Sequence, residues 1–316
     1  MPLQDVLHWA DTYELQNKPL SFGIFQAEFK NEKTESFYQF VEQEFANNVN
    51  TRINSEASLR CLKTDLSKLK KFKKELSFSE ITIPFLESYE GYMRNKLGNM
   101  VNTIQKSLKF IRTFLNRAIR VGLVEENIFR KYRMKTEPGR RQYLTMNELL
   151  ELEGLLEKPI PAYFRNIVKI FLFSCYTGLR YTDMITLRYG NVVDDVLSIT
   201  MHKTKDIVSI PLTAKPKLLM GYGDKEERIF RVPTNQVVNR HLKDAVALTS
   251  IKKNMTFHCA RHTFATIALS LGIPIAVVMA LLGHKDMKNT LIYAKVTDGL
   301  RIHEMQKWDR LLYSKE

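Results

Sequence analysis

Between Asn102 and Val121 the chain has little conformational choice. Ile104, Leu108, Ile111, Leu115 and Ile119 recur at steps of three and four. Only a helix lines such positions into one stripe, and that stripe must be buried against other chain. Ser55–Lys73 repeats the pattern with Leu59, Leu62, Leu66 and Leu69, and Ile83–Lys96 carries it again. The chain therefore contains a bundle of amphipathic helices.

The polar sides of these helices are basic. Residues 45–142 carry 21 Lys/Arg against 9 Asp/Glu, whereas residues 1–44 carry 3 against 8 and residues 143–316 carry 24 against 17. The net charge is +14, and the middle segment holds most of the excess. Lys106, Lys109 and Arg112 fall outside the apolar stripe. A solvated face would carry them equally well, but the neighbouring basic helices favour a surface laid along DNA phosphates. Arg140 and Arg141 extend this set of candidate DNA contacts.

A chain of 316 residues exceeds one ordinary core, so two domains are expected. A leader spans 1–44, with strand-like spacing at Ser21–Phe29 and helical spacing at Phe37, Phe40 and Val41. A helical domain spans 45–135. Pro138 and Gly139 punctuate a basic linker over 136–142. A second domain with a C-terminal tail spans 143–316. It opens on the capping box Thr145-x-x-Glu148. An apolar helix over Ala162–Thr177 stops at Gly178. Val196–Met201 and Ile207–Pro211 form a hairpin, Thr234–Ala247 a capped helix, and His258 leads into a helix over Ala260–Leu271. Gly272 stops that helix and Pro274 opens another. The tail holds an amphipathic stretch at Leu300–Leu312. The expected fold is mainly α with a small antiparallel sheet, an α+β arrangement.

Cys61, Cys175 and Cys259 lie far apart with no paired spacing. This argues against a disulfide framework or a metal site and suits a reducing cytoplasm. No apolar run approaches the roughly 18 residues of a membrane span, and the N-terminus lacks a signal pattern.

Four separated stretches of the second domain carry chemistry. Thr177-Gly178-Leu179-Arg180 closes the apolar helix and precedes Asp183; an Arg there is ordinarily a solvated helix end. His202-Lys203-Thr204-Lys205-Asp206 forms the hairpin tip, where charge is common. His258-x-x-Arg261-His262 places His258 and Arg261 on one helical face. Leu281-Leu282-Gly283-His284 precedes Tyr293, which alone would more often be core. Read in order, TGLRYTDMITL, KTKDIVSIPL, HCARHTFAT and LLGHKDMKNTLIY resemble the four signature boxes of the tyrosine recombinases of the phage-integrase family. The middle helices, NTIQKSLKFIRTFLNRAIRVGLVEENIF, are similar to that family's core-binding domain. In detail the chain looks most like integrases of conjugative transposons and related mobile elements.

The resemblance implies a site-specific recombinase working through a 3′-phosphotyrosine, with Tyr293 as nucleophile. It places Arg180 and Arg261 on the scissile phosphate and makes Lys203 the acid for the leaving 5′-oxygen. It gives His258 a part in proton transfer and lets His284 hydrogen-bond the phosphate. Asp183 would support its catalytic neighbours. Lys205 rivals Lys203, but the family's lysine precedes the closing proline of the hairpin by eight positions, as Lys203 precedes Pro211. The implied partners are double-stranded DNA, a homotetramer on two duplexes exchanging C-terminal tails, and accessory bending or excision factors; a DNA-free monomer stays open.

The chemistry agrees. Two guanidiniums match phosphate oxygens and stabilise the charge of a five-coordinate transition state. A phenol with pKa near 10 needs help to attack. A covalent phosphotyrosine conserves bond energy, so rejoining calls for no ATP, and charge stabilisation by Arg, Lys and His makes a metal cofactor unnecessary. A type IB topoisomerase-like enzyme and an inactive DNA-binding relative remain alternatives. A separate arm-binding domain is expected to be absent, or present as a remnant within 1–44.

Overall fold

The computed structural model describes residues 36–51, 55–139 and 141–294. The chain divides into two units at Gly139/Arg140, inside the stretch read as a linker. Among the described residues, no helix is long and apolar enough to cross a membrane.

The first unit is helical: α1 (Phe37–Thr51), α2 (Glu56–Phe72), α3 (Ile83–Asn95) and α4 (Val101–Arg120). Local chemistry sets the helix starts. Ser55 Oγ accepts the Ser58 N–H at 3.3 Å, and Thr82 Oγ1 accepts that of Phe85 at 3.4 Å. In α4, Ile104, Leu108, Ile111 and Leu115 are all buried, and Phe110, Phe114 and Ala118 widen their stripe. Ser107 lies within that stripe yet is satisfied, because its hydroxyl donates to the buried Asp65 carboxylate at 2.7 Å. Lys106, Lys109 and Arg112 stand exposed.

The break expected at residues 44/45 falls inside α1. Phe37, Val41 and Phe45 repeat every fourth residue and enter the same core as α4. The Phe45 and Phe114 rings meet edge-on at 5.7 Å, and Glu44 pairs with Arg117 at 2.9 Å. Residues 37–44 thus belong to the helical unit. Ser21–Phe29, the rest of the expected leader before residue 36, and Leu300–Leu312 lie outside the described residues.

The second unit is built round α6 (Ala162–Thr177), whose Ile167, Val168, Ile170, Phe171, Leu172 and Phe173 are buried on several sides. A helix apolar nearly all round is a core helix. Before it lies α5 (Met146–Gly154), opened by the reciprocal Thr145–Glu148 capping box. After it come the short α7 (Tyr181–Thr186) and a three-stranded antiparallel sheet of β1 (Val192–Val193), β2 (Val196–Thr200) and β3 (Ile207–Pro211) in that spatial order. Leu197 pairs with Ile210 and Ile199 with Val208, so one sheet face enters the core. Then follow α8 (Ala214–Met220), α9 (Asn235–Ala247), α10 (Phe257–Ser270), α11 (Ile275–Leu282) and α12 (Lys288–Ala294).

Helix α10 starts earlier than the Ala260 boundary read from sequence. Phe257 is buried, and its N–H donates to Asn239 Oδ1 of α9 at 2.7 Å. A tertiary contact therefore places His258 in the first helical turn.

Candidate active site

Gly178 sets the site. It ends α6 with φ +73, and a Cβ there would approach Phe264 Cδ1 to 2.8 Å and Leu282 Cδ2 to 2.9 Å. Only glycine combines that backbone with that approach. Ser174 Oγ donates to Leu179 O at 2.6 Å across the same turn. The chain then emerges at Arg180, which caps α7.

The Arg180 side chain is 17% exposed, and its Nη1 lies 4.0 Å from Asp183 Oδ2. That Nη1 is buried and has no hydrogen-bond partner. Asp183 is fully enclosed and bridges two segments. Its Oδ2 accepts the Arg180 N–H at 3.2 Å, and its Oδ1 accepts the His202 N–H at 2.9 Å. The second bond docks the β2–β3 hairpin beside Arg180 and fixes where the chain carrying Lys203 begins.

Arg261 comes from α10 and is 2% exposed. Its Nη1 donates to Gly178 O at 2.7 Å, and its Nη2 donates to Leu282 O. The guanidinium thus ties together the ends of α6 and α11. Burial, then the nearby Arg180, pulls its pKa down to about 9, which leaves it charged at neutral pH.

Gly283 carries the chain from α11 to His284. Its φ is +61, and a Cβ would meet Val208 Cγ2 of β3 at 2.9 Å, so this turn packs directly on the hairpin. Lys285 adds an ion pair to Asp206 at 3.0 Å. His284 Nδ1 lies 2.8 Å from Thr290 Oγ1. Desolvation, then Arg261 and Arg180, pushes the imidazole down to about 4.

Tyr293, on α12, is 4% exposed. Its Oη lies 2.9 Å from His262 Nδ1, and the Arg141 guanidinium sits 5.9 Å from its ring centroid. Burial raises the phenol pKa, while Arg141, Arg261 and Arg180 oppose the rise. His258 is exposed, with its ring edge-on to His262 at 4.5 Å. Partial desolvation, then the charges of Arg261, Arg180, Arg141 and Lys203, holds His258 below the usual histidine range. Lys203 itself stands exposed in the hairpin turn.

The structure therefore gathers Arg180, Asp183, Lys203, His258, Arg261, His284 and Tyr293 into one region of the second unit. Lys106, Lys109 and Arg112 belong to the first unit, and Arg140 lies outside the described residues. Arg141, read from sequence as a DNA contact, reaches the Tyr293 ring. Leu144, three residues on, is buried and donates its N–H to Thr263 Oγ1 at 2.9 Å, which pins this segment against α10.

His262 was given no part by the sequence reading. A usable signal existed, since it follows His258 by four positions and so shares its helical face. Thr290 likewise precedes Tyr293 by three. What this cluster can do is bind a phosphate-like anion between fixed guanidiniums, with a phenol and proton carriers alongside.

Comparison with known proteins follows the same division. Residues 142–299 match the phage integrase family, and residues 36–134 match the phage integrase SAM-like domain. A tyrosine recombinase of Thermosipho africanus is 28% identical over 218 residues, covering 65% of this chain and 75% of that protein. Tyrosine recombinase XerC of Bacillus subtilis is 26% identical over 243 residues, covering 71% and 78%. Among solved structures, a lambda integrase dimer bound to a COC′ core site superposes with TM-score 0.67 at 17% identity, over 82% of this chain and 95% of that one. The Tn1549 transposon integrase with transposon right end DNA gives 0.65 at 16%, over 82% and 94%. These two structures share the fold. Since the family match spans half of the sequence and takes in each box of the site, the chain belongs to the phage integrase family.

Proposed function

We propose that this protein is a site-specific DNA recombinase that cuts and rejoins duplex DNA through a 3′-phosphotyrosine on Tyr293. The observation that carries the reading is the Arg180 Nη1: buried, without a hydrogen-bond partner, and beside the still more deeply buried Arg261. An orphaned guanidinium nitrogen is costly unless an anion completes it. A backbone phosphate supplies the charge and the oxygens that fit.

In this reading Arg180 and Arg261 hold the non-bridging oxygens and stabilise the charge of the transition state. Tyr293 Oη bonds to phosphorus while the bond to the 5′-oxygen breaks. Lys203 delivers a proton to that oxygen, which would otherwise leave as a poor alkoxide. His258 assists proton movement, and His284, held by Thr290, donates to the phosphate. Asp183 positions Arg180 and the hairpin. Rejoining runs the steps backward, and the energy of the broken bond is kept in the phosphotyrosine.

The first unit supplies grip through the exposed Lys106, Lys109 and Arg112 face. Arg141 acts at the tyrosine. A lambda integrase tetramer bound to a Holliday junction shares this fold, with TM-score 0.66 at 17% identity. That supports assembly of this chain as a tetramer on two duplexes, with its own tail, residues 295–316, as the exchanged segment. Likeness in fold to the Tn1549 integrase supports work on a mobile element, and in this reading the protein acts in the cytoplasm with the DNA.

The test is a nicked suicide substrate, from which the cleaved fragment diffuses away. The wild-type chain accumulates a covalent protein–DNA adduct and Tyr293→Phe does not; an undiminished adduct in Tyr293→Phe overturns the reading. Relaxation of plasmids lacking a specific site, without pairing of duplexes, points to a topoisomerase-like enzyme instead.

A further inference from the structure

The proposed cleavage leaves one proton unassigned. Tyr293 must lose it to attack, and a buried phenol gives it up less readily than one in water. Lys203 serves the opposite oxygen. Two side chains hydrogen-bond the phenol, Arg141 and His262, and of these only the imidazole can accept a proton: His262 Nδ1 lies 2.9 Å from Tyr293 Oη. His262 and Tyr293 are nearly enclosed, at 8% and 4% exposure, and their ring centroids are 5.5 Å apart.

We propose that His262 is the general base of the reaction, its Nδ1 taking the Tyr293 proton as Oη bonds to phosphorus. This rests on the recombinase reading above. The step balances. The Oη–H bond breaks and its proton passes to Nδ1. The Oη–P bond forms, the bond from phosphorus to the 5′-oxygen breaks, and that oxygen takes a proton from Lys203. Cleavage ends with an imidazolium at His262 and a neutral amine at Lys203, and rejoining restores both.

The groups facing His262 decide whether it can accept. His258 and Arg261 come from its own helix, Arg141 from the segment before α5, and Tyr293 from α12. Burial, then His258 and the two arginines, presses the imidazole down to about 4. The ring is therefore neutral at physiological pH, with Nδ1 free to accept once the tautomer carries its hydrogen on Nε2. So weak a base does not ionise the phenol in advance. Transfer becomes favourable as Oη bonds to phosphorus, because an aryl phosphate oxygen has almost no basicity. The bound phosphate also helps, since its negative charge lies against Arg261 and offsets the cationic field that disfavours an imidazolium. DNA binding itself thus arms the base, and a tyrosine without substrate stays inert. His258 is exposed rather than enclosed with the phenol, which suits it to a different proton.

Single-turnover cleavage of the suicide substrate by the full chain tests this. His262→Asn keeps an acceptor oxygen near the Nδ1 position but cannot carry a proton. Its cleavage rate should fall roughly 10²-fold or more, the usual contribution of a positioned base. Between pH 7 and 9 its rate should climb about tenfold per pH unit as hydroxide replaces the base, while the wild-type rate stays nearly flat. A substrate with a 5′-bridging sulfur, which needs no acid, should restore Lys203→Ala and leave His262→Asn slow. Where His262→Asn melts early or loses DNA binding, His262→Ala with added imidazole replaces it, and recovery of cleavage is expected. Cleavage within about threefold of wild type with an unchanged pH profile, or rescue of His262→Asn by the bridging sulfur, overturns the proposal, because either shows that no base was lost. Failure of imidazole to rescue a folded, DNA-binding His262→Ala counts against it too. Tyr293→Phe run alongside separates the two claims: adduct in that variant defeats the recombinase reading, whereas its loss with a fully active His262→Asn defeats the base alone.

Discussion

Asp183 holds the His202 N–H at 2.9 Å from inside the core of the second unit, so one carboxylate decides where the hairpin lies relative to Arg180. Both its oxygens are committed to backbone donors. Asp183→Asn replaces one acceptor by an amide that cannot take the bond and leaves a part-buried N–H unmet. Urea unfolding should show a loss of about 1–3 kcal/mol, with a larger loss for Asp183→Ala. Cleavage should fall further than folding does, because Arg180 and Lys203 lose their common reference. Retention of both stability and cleavage in Asp183→Ala would show that the hairpin docks by its apolar face alone.

Gly178 faces two demands, a left-handed backbone and side chains where a Cβ would go. Its carbonyl also receives Arg261. Gly178→Ala should cost about 1–3 kcal/mol from backbone strain, with further cost from displacing Phe264 and Leu282. The cleavage rate should drop with substrate affinity largely kept, since the first unit still grips DNA. Wild-type melting in this variant would mean the turn tolerates a different geometry.

The two depressed histidines give stability a definite pH sign. His262 and His284 are both held near 4, against 6.5 for an unperturbed histidine. The folded chain therefore refuses protons that the unfolded chain accepts below 6.5. Their contribution is complete above about 6.5, shrinks as pH falls towards 4, and levels off beneath that. For His262 the difference is of order 3 kcal/mol, and for the less buried His284 it is smaller. Urea midpoints should drop between pH 7 and pH 5, and drop less in His262→Gln. A midpoint independent of pH over that window would contradict the burial of these rings as neutral groups.

Much of this architecture is legible without coordinates because it rests on local rules. The stripe Ile104–Leu108–Ile111–Leu115 can be buried only by a helix, and the Thr145–Glu148 box announces its own helix start. What escapes depends on distant partners or on brevity. Strand β1 has two residues and α7 has six, too few to show a period. Residues 37–44 read as part of an acidic leader because nothing local reveals that Phe45 packs on Phe114. The start of α10 depends on Asn239. At the site, the four boxes carry the cluster through their resemblance to a family, yet His262 hides beside Arg261, because the His258–Arg261 step of three draws attention away from the His258–His262 step of four. Arg141 is visibly basic, but its destination follows from Leu144 bonding to Thr263, far along the chain.

The grip of the first unit has its own signature. Lys106→Ala, Lys109→Ala and Arg112→Ala together should weaken binding to specific and unrelated duplexes alike. If each side chain meets one phosphate, the slope of log affinity against log salt should become shallower by about 2.7. Cleavage at saturating protein should persist. An unchanged slope would leave that face of α4 in solvent.

The most direct test locates the covalent bond. The suicide-substrate adduct is digested with protease and nuclease, and the modified peptide is sequenced by mass spectrometry. The account predicts a nucleotide remnant on the phenol of Tyr293, attached through a 3′-phosphate. A remnant on another side chain, or attachment through a 5′-phosphate, contradicts it.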